Sequence, residues 1–235
     1  MTESDPASER VQEGEEALDE DDLEGALQCF EEALRLDPEH YGAALDRAET
    51  LHLMWRTQEA LQAALDAAPP PDEEDDPDRA DLEGRIREAA GDFERADALF
   101  QEAHELDPDE FPLPVRASAE DFRAILDKVL ASLPPVIRDA LLEVPVVVEP
   151  KPTVAIADRE PHITPDVLGL FVGTVVGDKM HVTDTPNVVF LFQRNLERAG
   201  KSRAEVAKEI KITLLHEYGH YLGFDEEDME HLGLA

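Results

Sequence analysis

The stretch GALQCFEEALRLDPEH, residues 25–40, decides the first half of the fold because it comes back later as ERADALFQEAHELDPDE, residues 94–110. Ala26, Phe30, Ala33 and Pro38 align with Ala96, Phe100, Ala103 and Pro108. Gly14 and Gly84 lie the same distance upstream of each copy. The two copies are 70 residues apart, twice a period of about 34 residues, which is the length of one helix–turn–helix repeat. A weaker middle copy runs through Ala60, Ala64 and Ala67 in TQEALQAALDAAPPP. Small residues let paired helices approach closely, and the phenylalanine fills the gap between them. Residues 9–110 are therefore expected to form three helix pairs. The run PPPDEEDDPD at 69–78 interrupts them and is expected to be a surface loop, since three prolines followed by acids do not make a helix.

The charge supports a water-facing surface around such an array. The 235 residues carry 56 acids and 21 bases, a net charge of -35. Of these, 36 acids and 8 bases fall in residues 1–110. A surface of this sign repels nucleic acid and anionic membranes and favours basic partners, so neither polyanion is expected to bind. The only cysteine is Cys29, which excludes an intramolecular disulfide. MTESDPASER has no basic n-region and no apolar h-region, and no apolar run approaches the ~20 residues of a membrane span. These features lead to the expectation of a cytoplasmic protein.

Composition changes after Pro112 and Pro114. SAEDFRAILDKVLASLPP, residues 118–135, reads as a helix capped by Ser118, with Asp121 in its first turn. Phe122, Ile125, Leu126, Val129 and Leu130 form its apolar stripe. A short helix, VIRDALLEV, is expected next. VPVVVEP, VLGLFVGTVV and NVVFLFQ are rich in Val and Phe and read as strands. The glycines of DVLGLFVG suggest a strand that bends or runs close to another backbone. SRAEVAKEIKITLLHEYGHYLGF, residues 202–224, reads as a helix of about 20 residues. Ser202 and Glu205 form a capping box at its start, and Gly223 is placed to end it. The fold class is thus an all-α repeat module followed by a small α+β domain, residues 115–235.

That last helix carries the chemistry. His216 and His220 are four residues apart, so their rings share one face and can both reach one zinc ion at ~2.0–2.1 Å. Glu217 borders the same cavity and suits a base better than a ligand. The motif extends to H-E-x-x-H-x-x-G-x-x-E, with Gly223 allowing the chain to double back and Glu226 three residues beyond. Fifteen residues follow His220, so the third ligand is expected within 221–235. Glu226 is the choice, with Asp225, Glu227 and His231 as alternatives. Tyr218 and Tyr221 are expected to pack rather than react, His162 and His181 to be solvated, and Met229 to be core.

Two resemblances follow from these residues. The small–aromatic–small–Pro pattern of the first half resembles the tetratricopeptide repeat, although the large aromatic residue expected early in the first helix is missing. Such modules usually bind proteins in a concave groove; with so few bases here, a clamp for acidic peptide tails is not expected. Residues about 117–235 resemble the short bacterial zincin-like metallopeptidases, the minimal-metalloprotease family. The likeness runs through LDKVLASLPP, VPVVVEP, LGLFVG, NVVFLFQRNL and the terminal motif. It implies that His216, His220 and Glu226 bind Zn2+, that Glu217 is the catalytic base, and that a protein or peptide substrate is hydrolysed by metal-activated water. It also implies that the substrate pairs with an edge strand, for which NVVFLFQ is the candidate. The competing reading is a non-catalytic repeat scaffold with a vestigial or structural metal site.

Overall fold

The computed structural model describes residues 5–69, 76–133, 135–141, 144–160, 162–174 and 187–224. The chain divides into two compact units. One holds Met1–Leu113 with Thr153–Pro165, the other Pro114–Pro152 with Asp166–Ala235.

The first unit is built from three antiparallel helix pairs: α1 (Pro6–Asp19) with α2 (Leu23–Leu36), α3 (Tyr41–Leu53) with α4 (Thr57–Asp66), and α5 (Pro77–Ala89) with α6 (Phe93–Leu106). The repeated residues are what bring each pair together. A Cβ added at Gly14 would lie 2.5 Å from Phe30 Cε1, and one at Gly84 would lie 2.7 Å from Phe100 Cε1. Each ring therefore sits directly on the backbone of the partner helix. In the middle pair the equivalent positions are Ala48 and Ala64, both fully buried, so two methyl groups replace a ring against a glycine.

The turns inside the pairs repeat as well. Asp21, Trp55 and Gly91 each adopt positive φ, at 58°, 61° and 83°. At each turn this residue donates its N–H three residues back, and the next residue donates five residues back, as in Asp21→Leu18 and Asp22→Ala17. That is a Schellman ending. It suits Gly91 but strains Trp55, because an L side chain in this region costs roughly 1–2 kcal/mol. The Trp55 indole N–H donates to the carbonyl of Ile163 at 2.8 Å, within the same unit, and so anchors the strained residue. Asp22, Asp76 and Asp92 cap the helices that follow them. The expected loop over 69–78 is displaced by two residues: α4 ends at Asp66 and α5 already begins at Pro77. Asp76 accepts from the backbone N–H of Asp78, and Pro77 occupies the first turn of α5, where its missing N–H costs nothing; residues 70–75 lie outside the described residues.

One partly buried acid of this unit is held away from its ordinary charge state. Burial, with Glu15 and Glu49 nearby, pushes the Asp46 carboxyl up to about 7. Its folded value lies above its unfolded value, so between about pH 4 and pH 7 the folded chain holds a proton that the unfolded chain has released. Stability should fall as pH rises through that window and level off above it. Asp46 is only partly buried, so solvent screening reduces the penalty to about 1–2 kcal/mol. Asp46→Asn is expected to raise the melting temperature at pH 8 but not at pH 4. A gap between variant and wild type that is independent of pH would show that Asp46 titrates normally.

Among its described residues, the second unit is a three-stranded sheet packed against helices. It contains α7 (Ala119–Ser132), α8 (Pro135–Ala140), β1 (Val146–Glu149), β2 (Gly169–Val172), β3 (Val188–Phe192), α10 (Gln193–Ala199) and α11 (Arg203–Leu222). The short α9 (Val154–Ala157) belongs to the segment that joins the first unit. Phe122, Leu126 and Val129 of α7 pack with Val189 and Leu191 of β3 and with Val206, Ile210 and Leu214 of α11. Ser118 caps α7 by accepting from Asp121 N, as the sequence indicated.

Two expectations need correction. NVVFLFQ is not an edge strand: the sheet order is β1-β3-β2, with β3 parallel to β1 and antiparallel to β2. Val189, Leu191 and Phe192 are fully buried, and a strand this apolar is stabilised by neighbours on both sides. The strand also stops at Phe192, because Gln193 opens α10. Asn195 and Glu197 of α10 are buried but satisfied. Glu197 accepts from Ala117 N and pairs with Arg116, while Asn195 accepts from Lys151 and donates to the Val167 carbonyl.

Candidate metal centre

The site grows from the helix α11. Its N-terminus is fixed by Ser202, which accepts from Glu205 N at 3.3 Å; the Glu205 carboxylate accepts from Lys201 N at 2.7 Å. Its C-terminus is a Schellman turn. Gly223, at φ 90°, donates to the His220 carbonyl, and Phe224 N donates to the Gly219 carbonyl. Only a glycine adopts this conformation without strain.

The last two turns of α11 carry His216, Glu217 and His220. The two histidine Nε2 atoms are 3.0 Å apart, and the rings stand almost perpendicular at 84°. Two ligands held at ~2.05 Å on a tetrahedral ion are separated by roughly 3.3 Å. In the structure this contact is a hydrogen bond between the rings, one Nε2 donating and the other accepting, and it holds both nitrogens on the same face of α11.

Glu217 is buried and is held by the sheet. Its Oε2 accepts from the backbone N–H of Phe171 in β2 at 2.6 Å. The register explains why that N–H is available. Phe192 N donates to the Leu168 carbonyl, which makes residues 168 and 192 a hydrogen-bonded pair. Bonded and non-bonded pairs alternate along an antiparallel ladder, so Gly169 and Phe171 turn their backbone groups away from β3. Gly169 also sets the approach of strand to helix: an added Cβ there would lie 2.4 Å from Thr213 Cγ2 and 3.2 Å from Glu217 Cγ. The glycine singled out in the sequence thus lies against side chains of α11. The identity of its neighbour, and the role of Phe171 N–H, carried no signal in the sequence.

Aromatic rings back this arrangement. The ring of Phe171 lies 5.6 Å from that of Tyr221, which lies 5.5 Å from that of Tyr218. Tyr218 packs with Leu133 and Leu141. Both tyrosines make packing contacts. His162 is exposed in a turn of the first unit. Glu226, Asp225, Glu227 and His231 lie outside the described residues, as do His181 and Met229. Among the described residues, no three His, Cys, Asp or Glu side chains gather as a metal-binding group.

Comparison with known proteins agrees with these two halves. Residues 141–234 match the family described as zincin-like metallopeptidase, and residues 11–40 match the tetratricopeptide repeat. The two matches lie in the order expected for a tetratricopeptide repeat followed by a zincin-like metallopeptidase domain. Among solved structures, the TPR domain of Arabidopsis OM64 aligns with 44% of this chain and 84% of its own, at 20% identity and a TM-score of 0.41. No curated protein matches the chain.

Proposed function

We propose that the chain is a zinc-dependent peptidase in which residues 115–235 form the hydrolytic domain and the repeats, residues 9–110, recruit a protein partner or substrate. The observation that carries this reading is the convergence of His216 and His220 beside a carboxylate pinned to the sheet. His216, His220 and Glu226 would hold the ion, and two imidazoles with a carboxylate are an ordinary zinc donor set. Bound zinc would supply a Lewis acid that acidifies water and polarises a peptide carbonyl. Glu217 accepts the proton of the attacking water on its carboxylate and returns it to the departing amine. Phe171 N–H fixes the orientation of that carboxylate while this happens. The substrate is proposed to lie along the outer edge of β2, which pairs only with β3 among the described residues, using backbone groups there other than the Phe171 N–H that Glu217 takes. Among the described residues no helix is long and apolar enough to cross a membrane, and the acidic surface disfavours nucleic acid. A cytoplasmic setting is part of the proposal.

The test is metal content. The purified protein is expected to hold about one zinc per chain, and His216→Ala or His220→Ala to remove it. Glu226→Ala is expected to weaken zinc in a chelator competition about 10–100-fold, with Asp225→Ala and Glu227→Ala close to wild type. Stoichiometric zinc in either histidine variant would refute the site. Sensitivity at Asp225 or Glu227 with a silent Glu226 would move the third ligand and leave the peptidase reading intact.

A further inference from the structure

A groove in the second unit runs between α7 and α11, and its charge is opposite to that of the rest of the chain. Four bases line it: Lys128 from α7, and Arg203, Lys208 and Lys211 from α11. Its floor is apolar, made by Ile125 and Val129 on one side and Ala204 and Ala207 on the other. Among the described residues no acid lines it, although acids outnumber bases 56 to 21 in the sequence. In such a chain almost any exposed base has an acid within reach. Yet the side chains of Lys128, Lys208 and Lys211 make no ion pair or hydrogen bond among the described residues. Arg203 reaches only Asp121, at 4.0 Å, with both side chains exposed.

The helical spacing makes this a continuous surface. Residues 204, 207, 208 and 211 share one face of α11, and 125, 128, 129 and 132 share the facing stripe of α7. Eight residues of helix cover about 12 Å, the length of two helical turns in a ligand. The alanines leave room for a small apolar side chain, and the lysines ring it with ammonium groups on long, mobile stems.

We propose that this groove binds an acidic amphipathic segment of a partner protein, about two helical turns long, with Leu or Ala on the floor and Glu or Asp against the lysines. The proposal does not depend on the peptidase reading. Charge complementarity selects this occupant. At physiological ionic strength charges interact over about 8 Å, so a short acidic segment feels the local lysines more than the net charge of the chain. A nucleic acid or an anionic membrane extends well past the groove and meets a chain of net charge -35.

The test uses the full chain and a labelled 14-residue peptide of Glu, Leu and Ala, followed by fluorescence anisotropy. Binding is expected, weakening several-fold between 50 and 300 mM NaCl. Lys128→Gln/Lys208→Gln/Lys211→Gln is expected to weaken it at least tenfold while circular dichroism and zinc content stay unchanged. All three side chains are exposed, so the fold does not depend on them. Equal binding by wild type and the triple variant, or no binding by wild type, overturns the proposal. A labelled oligodeoxynucleotide of equal charge that binds more tightly through the same lysines overturns the choice of a peptide. Dimers of the wild-type chain in sedimentation, lost in the triple variant, would make the occupant a second copy and overturn the separate partner.

Discussion

Glu217→Gln is expected to leave zinc bound and to lower peptide hydrolysis by about 10²–10⁴-fold, the usual contribution of a positioned general base. The substitution keeps the shape. A glutamine carbonyl oxygen can still accept from Phe171 N–H, so the bond that pins Glu217 to β2 at 2.6 Å has a replacement. The amide cannot take up a proton from water. Structure and metal should therefore survive while the chemistry fails. The assay compares wild type and variant on a pool of internally quenched peptides, with zinc measured on the same samples. A variant that cleaves at the wild-type rate removes Glu217 from the role of base. A wild-type chain that holds zinc yet cleaves nothing in the pool favours the scaffold with a structural metal.

The helix that carries this chemistry was legible because its signals are local. Ser202, Glu205 and Gly223 mark its ends through backbone hydrogen bonds with residues a few positions away, and the four-residue spacing of His216 and His220 fixes a shared face. What holds Glu217 was not legible. Its partner is a backbone N–H 46 residues away, and no side chain records which strand will run beside the helix. Strand order is hidden for the same reason. VVFLF is equally compatible with a centre or a buried edge until β1 and β2 are placed on either side of it. The helix α10 was missed because a strand flows into it without a loop, and its inward Asn195 and Glu197 are polar residues whose partners come from residues 116, 117, 151 and 167.

The repeat half shows the opposite balance. Its period was visible from Ala, Phe and Pro, but the turn geometry was not. Three turns share one left-handed position, which Gly91 announces and Asp21 tolerates, whereas Trp55 adopts it with a side chain that normally avoids it. The Schellman hydrogen bonds of the flanking helices and the Trp55–Ile163 bond outweigh that local preference.

The ring-on-glycine contact inside the first helix pair leads to a prediction whose sign depends on background. Phe30 is fully buried, and its ring occupies the space a side chain on residue 14 would need. Phe30→Ala should cost about 3–5 kcal/mol, the range for deleting a buried aromatic ring. That is a large share of the roughly 5–15 kcal/mol that holds a typical domain together. Gly14→Ala alone has two opposed effects. Alanine favours a helix interior over glycine by about 1 kcal/mol. Its methyl group, however, would sit 2.5 Å from Phe30 Cε1, so the ring must shift, and overpacking of this kind costs about 1–3 kcal/mol. The single variant should therefore be destabilised. Once the ring is gone the clash is gone, and Gly14→Ala placed on Phe30→Ala should stabilise by about 1 kcal/mol. The doubly substituted pair then carries the Ala–Ala combination that Ala48 and Ala64 form in the middle pair. Denaturant unfolding of wild type, both single variants and the double variant measures the coupling directly. If Gly14→Ala has the same sign with and without Phe30, the close approach of α1 to the ring does not govern the stability of this pair.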